Sequence, residues 1–266
     1  MPFSVSLCFK NYCRLISAAA DSRTPVDTKE IIFIADDFGL SQEVNRAILR
    51  AHREGVLNGA SLMMGQTATD EAVRMARETP TLQVGWHLHL CHSRPVTVET
   101  WPWGDSPDRA GWAIGITRVG RRLMRDEVRE QWNAFAETGL PARFVNSHHH
   151  LHVHPGIYKV MRGVLPAGFD GWLRMGRVRW FSPEQGNRFM SAVSGWLHRR
   201  RAKRVAFRLS DTLWGVDRLY RMQAAEVARE IQRLPTGLHE FMFHPRTTDN
   251  DADVQCLIEL RKILGR

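Results

Sequence analysis

Asp36-Asp37, His87-Leu88-His89 and the run Ser147-His148-His149-His150-Leu151-His152-Val153-His154 are the parts of this sequence whose residue types and spacing could do chemistry. Adjacent carboxylates repel each other, and a divalent cation relieves that repulsion. One of Asp36 and Asp37 could then ligate the ion while the other accepts a proton from water. A one-residue gap puts His87 and His89 on one face of a strand, which suits two ligands or a ligand with a helper. Five histidines between positions 148 and 154 are hard to attribute to packing. In an extended chain His148, His150, His152 and His154 would share a face and His149 would point away. The chain must turn into Pro155, so one ring is expected to ligate and another to support it or face substrate. His244, in Phe243-His244-Pro245, suits a general acid that hands a proton to a leaving amine.

These groups share a place in the chain: each follows an apolar run of strand length. Ile31–Ala35 precedes Asp36-Asp37, Leu82–Trp86 precedes His87, and Arg143–Asn146 precedes Ser147-His148. Further runs at Ala60–Met64, Trp172–Met175, Val205–Leu209 and Leu238–Phe243 contain or lead into Arg174, Asp211 and His244. Amphipathic stretches between them predict helices over about 41–52, 68–78 and 120–138, from Pro155, and over about 183–203, 217–233 and 253–264. About seven β-then-α units predict an α/β fold, a TIM-like (β/α) barrel, distorted or seven-stranded, with the polar groups converging on the C-terminal mouth. An open doubly wound sheet would want a Gly-rich phosphate turn after its first strand; Asp36-Asp37-Phe38-Gly39 would repel phosphate. Residues 91–119, rich in Pro, Gly and Trp, read as a long loop. There Trp101 and Trp103 offer an aromatic platform, an exposed rim or core packing.

At 266 residues, 43% hydrophobic and 24% charged, the composition is that of an ordinary globular chain. No segment approaches the roughly 20 apolar residues of a membrane span. Residues 1–29 read as a poorly ordered leader and 30–266 as one domain. Four cysteines, Cys8, Cys13, Cys91 and Cys256, form no CxxC pair and read as reduced thiols of the cytoplasm. The net charge of +9 concentrates in Arg118–Arg125 and His198–Arg204. With no nucleic-acid motif, a solvated helix face or attraction to an anionic membrane surface is expected there.

Ala35-Asp-Asp-Phe-Gly39, Gly85-Trp-His-Leu88, Asn146-Ser-His-His-His150 with His152, and Phe243-His-Pro245 resemble, in order, the signature blocks of the YdjC-like (ChbG-type) carbohydrate deacetylases. The opening block, Gly85–Leu90 and Arg94-Pro95-Val96 are similar to the hopanoid-biosynthesis-associated (HpnK-like) branch. The resemblance implies one divalent ion, magnesium or zinc, on Asp37, His87 and His148, with Asp36 as general base and His244 as general acid. It implies an acetylated amino sugar as substrate, lipid-linked in that branch, met by His89, His150, His152, Arg174 and Asp211. A cytoplasmic protein peripheral at the inner membrane, and a homodimer as its assembly, go with this reading. Two rivals stand beside it: a phosphoesterase on the same scaffold, with two ions and Arg174 on the phosphate, and a non-catalytic metal- or lipid-binding protein.

Overall fold

The computed structural model describes residues 28–181 and 207–265, with positions 192, 193, 195–197 and 200 between them. All but the last two residues of the expected leader, most of the basic run 198–204 and most of the helix expected over 183–203 lie outside the described residues; Lys29, placed in the leader, begins the first strand.

Nine strand segments make one sheet: β1 (Lys29–Phe38), β2 (Gly59–Leu62), β3 (Gln83–Leu88), β4 (Phe144–Ser147), β5 (Trp172–Leu173), β6 (Arg177–Val178), β7 (Arg208–Leu209), β8 (Thr212–Trp214) and β9 (Gly237–Phe243). Their order is β6-β8-β9-β1-β2-β3-β4-β5-β7, with every pairing parallel. Two runs are interrupted. β5 and β6 belong to the stretch 172–178, β7 and β8 to the stretch 208–214; β7 pairs with β5, and β8 with both β6 and β9. Across the second break the Ser210 amide donates to the Leu173 carbonyl at 3.1 Å and the Asp211 amide to that of Leu238 at 2.7 Å. The stretch 208–214 therefore has 172–178 on one flank and β9 on the other. The sheet curls into a distorted barrel whose runs are β1, β2, β3, β4, 172–178, 208–214 and β9. Gly176 marks the first break, where a Cβ would meet the Thr212 backbone at 2.5 Å.

The described helices are α1 (Gln42–Glu54), α2 (Thr69–Glu78), α3 (Pro107–Ile116), α4 (Arg118–Glu137), α5 (Pro155–Val164), α6 (Ala224–Arg233) and α7 (Ala252–Ile263). Ser41 caps α1 by accepting the Val44 amide, and Val44, Ala47, Ile48 and Ala51 are its buried face. The expected long loop contains α3, started by a Ser106 cap and Pro107; Gly111 and Gly115 hide its periodicity. Helix α6 begins at Ala224, not near 217, because Gly215 and Tyr220 take positive φ and hold that stretch in turns.

Strand periodicity stacks the barrel interior in layers. Ile34, Phe144, Trp172 and Leu238, from β1, β4, β5 and β9, form an apolar cluster of their own. Gly59 and Gly85 occupy the matching places on β2 and β3, and Phe144 fills the room they leave; a Cβ on Gly85 would come within 2.4 Å of its ring. Phe144 in turn stacks on Trp172 at 5.0 Å. Two residues further along each strand the same inward face becomes polar: Asp36, Ser61, His87, Asn146, Arg174 and Glu240, all buried. The apolar layer is the floor of that polar one. Gly85→Ala should therefore overpack the floor and cost about 1–3 kcal/mol, read as a lowered Tm and denaturation midpoint. An unchanged Tm would contradict the layered packing.

Candidate active site

β1 does not simply stop at its carboxylates. Its register against β2 shifts between Ala35 and Phe38, and Asp37 sits at φ 68°, so a bulge turns two consecutive side chains toward one pocket. The turn that follows is pinned by Asn45 of α1, whose Oδ1 accepts the Gly39 amide at 2.7 Å while its Nδ2 donates to the Ala68 carbonyl and to Glu71.

Asp36 points inward and is held on every side. Arg174 grips both its oxygens, Nη2 to Oδ1 at 2.8 Å. Ser61 Oγ donates to Oδ1 at 2.6 Å and Asn146 Nδ2 at 3.1 Å. His244 Nε2 lies 3.9 Å from Oδ2. Burial alone would raise this carboxyl, but the Arg174 guanidinium, with His87 and His244 nearby, holds it well below the usual range. Arg174 also donates from Nε to Glu240 at 2.8 Å; burial pushes the Glu240 carboxyl up, partly countered by that guanidinium.

Asp37 faces two imidazoles. Its Oδ1 lies 2.8 Å from His148 Nδ1 and 3.2 Å from His87 Nε2. The three donor atoms fall within 4.8 Å of one another. Asp37 Oδ1 and His87 Nε2 are buried without a hydrogen bond of acceptable geometry, as expected of atoms aimed at a shared point. His87 Nδ1 meets Asn146 Oδ1 at 2.5 Å. Because Asn146 Nδ2 donates to Asp36, its oxygen must face His87, so Nδ1 donates and Nε2 presents a lone pair. Burial lowers the His87 pKa, but Asp36 and Asp37 outweigh it and the net shift is upward; a cation and a proton would compete for that lone pair. One oxygen and two nitrogens, two of these atoms orphaned, fit a divalent cation.

His244 completes the group. Burial lowers its pKa despite the opposing pull of Asp36 and Asp37. Its amide donates to Asp253 at 2.7 Å, which fixes the chain leaving β9.

The structure places the expected substrate-binding residues differently. Arg174 is fully engaged by Asp36 and Glu240 under the pocket. His152 is buried, bridging Ser147 Oγ at 2.7 Å and the Arg174 carbonyl at 2.6 Å. His89 is buried between the Met64 carbonyl and Ser93 Oγ, both at 2.9 Å. Asp211 is distant: its carboxylate accepts the Leu238 amide at the start of β9, because strand pairing continues to Trp214 and leaves Asp211 at the opposite end from the mouth. Of the five, His150 remains at the pocket, its pKa lowered to about 3 by burial, then by Arg174. The histidine run is a 3₁₀ turn with His149 and His150 in left-handed conformations, not an extended ladder. Trp101 and Trp103 are buried and stacked at 5.5 Å, donating to the Ser93 and Leu90 carbonyls, and form neither platform nor rim. Ser61 and Glu240 carry no motif, and Asn146 stands in a signature block without an expected role; the signal for all three is a polar residue at the inward-facing place of a strand.

The sequence model of the family described as "YdjC-like protein" matches residues 30–262. A carbohydrate deacetylase of Brevibacillus brevis is 40% identical over 134 residues, 50% of this chain and 54% of its own length. One of Vibrio campbellii is 34% identical over 144 residues, 51% and 55% of the two chains. The chain thus spans about half the length of the curated relatives it matches. A solved structure from Enterococcus faecalis V583, named for cellobiose-phosphate cleavage, superposes with a TM-score of 0.57 at 18% identity, covering 90% of this chain and 94% of its own. It shares the fold.

Burial lowers the His89 pKa to about 3, so the folded chain keeps the ring neutral while the unfolded chain protonates it near 6.5. Between those values the unfolded state binds the extra proton. The folded state loses up to about 1.4 kcal/mol per pH unit as pH falls from about 6.5. Denaturation of His89→Gln should lose less stability than the parent between about pH 6.5 and 5; equal losses would contradict a neutral buried ring.

Proposed function

Since the chain belongs to the YdjC-like family, we propose that it is a metal-dependent carbohydrate deacetylase that hydrolyses the N-acetyl group of an N-acetylglucosaminyl substrate. The observation that carries this is the convergence of Asp37, His87 and His148 on one point, beside Asp36 and within reach of His244. Asp37, His87 and His148 would hold one divalent ion, magnesium or zinc. When bound, such an ion lowers the pKa of water and polarises an acyl oxygen.

The chain's own groups do the rest. Asp36 stays anionic because of Arg174 and is held still by Ser61 and Asn146, so it is oriented to take a proton from the attacking water. His244 stands beside Asp36, its Nε2 3.9 Å from Oδ2, with a depressed pKa; once protonated it is a stronger acid than a free imidazole and gives its proton to the departing amine. The phosphoester reading needs a free cation for the phosphate, and Arg174, its candidate, is bound to Asp36 and Glu240. A neutral amide makes no such demand.

Purified protein loaded with magnesium or zinc should release acetate from N-acetylglucosaminyl glycans or lipids. Asp36→Asn and His244→Gln should each lower kcat by about 10²–10⁴-fold with the fold intact by circular dichroism. Full acetate release by Asp36→Asn would sink the mechanism.

A lipid-linked substrate, of the hopanoid type in the branch this sequence resembles, is the finer part of the proposal. Its support is the α3–α4 junction, where Trp112, Ile116 and Val119 are 62%, 61% and 74% exposed beside Arg118, Arg121, Arg122 and Arg125. Apolar side chains ringed by arginines suit the interface of an anionic bilayer, each arginine adding about 1 kcal/mol near the surface. No described helix is long and apolar enough to cross a membrane. The protein should cosediment with phosphatidylglycerol vesicles and much less with phosphatidylcholine vesicles, and Arg118→Glu with Arg122→Glu should abolish the difference. Equal recovery with both vesicle types would refute this surface.

A further inference from the structure

A second cluster of ligating side chains stands beside the first, outside the proposed chemistry. Cys91 and His92 follow β3, and His149 lies in the turn after β4. One donor atom from each falls within 4.8 Å of the others. Cys91 is buried and both rings are exposed. His92 Nδ1 lies 2.8 Å from His149 Nε2, with ring centroids 4.7 Å apart. The His92 amide donates to Asp105 Oδ1 at 3.1 Å.

A single hydrogen bond between two exposed imidazoles contributes little against water. Yet both histidines hold left-handed backbone, His92 at φ 49° and His149 at φ 52°, a conformation unfavourable for a non-glycine residue. Their convergence on the Cys91 thiol gives that conformation a purpose. Tetrahedral zinc, with bonds of about 2.3 Å to sulfur and 2.0–2.1 Å to nitrogen, needs donors roughly 3.3–3.6 Å apart, so the imidazole pair has only to open by about half an ångström. Sulfur and two imidazole nitrogens select a softer ion than the carboxylate and two imidazoles of the first cluster.

We propose that Cys91, His92 and His149 form a second metal site for a borderline-soft divalent ion such as zinc or cobalt. On binding, the S–H bond breaks, its proton leaves to solvent, and the thiolate sulfur binds the ion. His149 adjoins His148, with ring centroids 4.2 Å apart, and Cys91 lies on the segment that continues from His87 and His89. An ion here ties the segment that continues from β3 to the turn that carries His148 and stiffens the first cluster through the chain between them.

Cobalt is the probe. The full chain, stripped with chelator and titrated with Co²⁺, should bind two equivalents and develop a thiolate-to-cobalt charge-transfer band. The band should vanish in Cys91→Ser, which then binds one equivalent. His92→Ala, an exposed truncation that leaves the buried thiol in place, should weaken the second equivalent by at least the ~10–100-fold that loss of a supporting group costs. Asp37→Asn should lose the other equivalent and keep the band. A band that survives Cys91→Ser, or full second-equivalent affinity in His92→Ala, would overturn the assignment.

Discussion

One guanidinium inside the barrel sets the terms for everything above it. Arg174 leaves the β5 run and is clasped by Asp36 from β1 and Glu240 from β9, which joins three strands far apart in sequence. Such a buried group adds little net stability over an apolar replacement, but losing one partner strands the others at about 3–5 kcal/mol. What it supplies is orientation. The guanidinium fixes Asp36, Asp36 fixes the Asn146 amide, and Asn146 Oδ1 decides which His87 nitrogen carries the proton. The lone pair that His87 turns toward Asp37 is thus set by a charge reached through two intermediates.

Above that layer the backbone takes over. The inward layer follows from pleat alone, since Asp36, His87, Asn146, Arg174 and Glu240 each stand two residues beyond a floor residue. Asp37 and His148 lie outside that alternation and are aimed by turns: a bulge with positive φ at Asp37, and a 3₁₀ turn entered at His148. Non-glycine residues in left-handed backbone gather at this end, at Asp37, His92, His149 and His150. Strain concentrated around one pocket is the pattern of geometry held for function.

The sequence made the α/β class, the distorted barrel and the first ring of the pocket legible, because apolar runs ending in polar residues encode strand ends directly. It was less informative where a side chain's partner is remote. Arg174 reads as a free cation at a mouth; its carboxylate partners lie 138 and 66 positions away, and no local pattern announces them. Asp211 reads as terminal because the apolar run stops at Leu209, whereas pairing resumes at Thr212-Leu-Trp214. The histidine run reads as a ladder because alternation is the only geometry that spacing can express. Two successive left-handed residues break it, and histidine composition gives no sign of them.

The loop after β3 shows the same division between chemistry and support. Glu127 of α4 accepts the Val96 and Thr97 amides and the Thr97 hydroxyl, and Gln131 bonds both backbone groups of His89. With the Trp101–Trp103 stack anchored to Leu90 and Ser93, the segment is bound to the barrel by buried polar contacts rather than left to wander. Trp101 and Trp103 are buried within it. They hold His87, His89 and Cys91 in register with the turn that carries His148 and His149, so residues that look like a recognition surface in sequence act as the scaffold that sets the distance between two groups of candidate ligands.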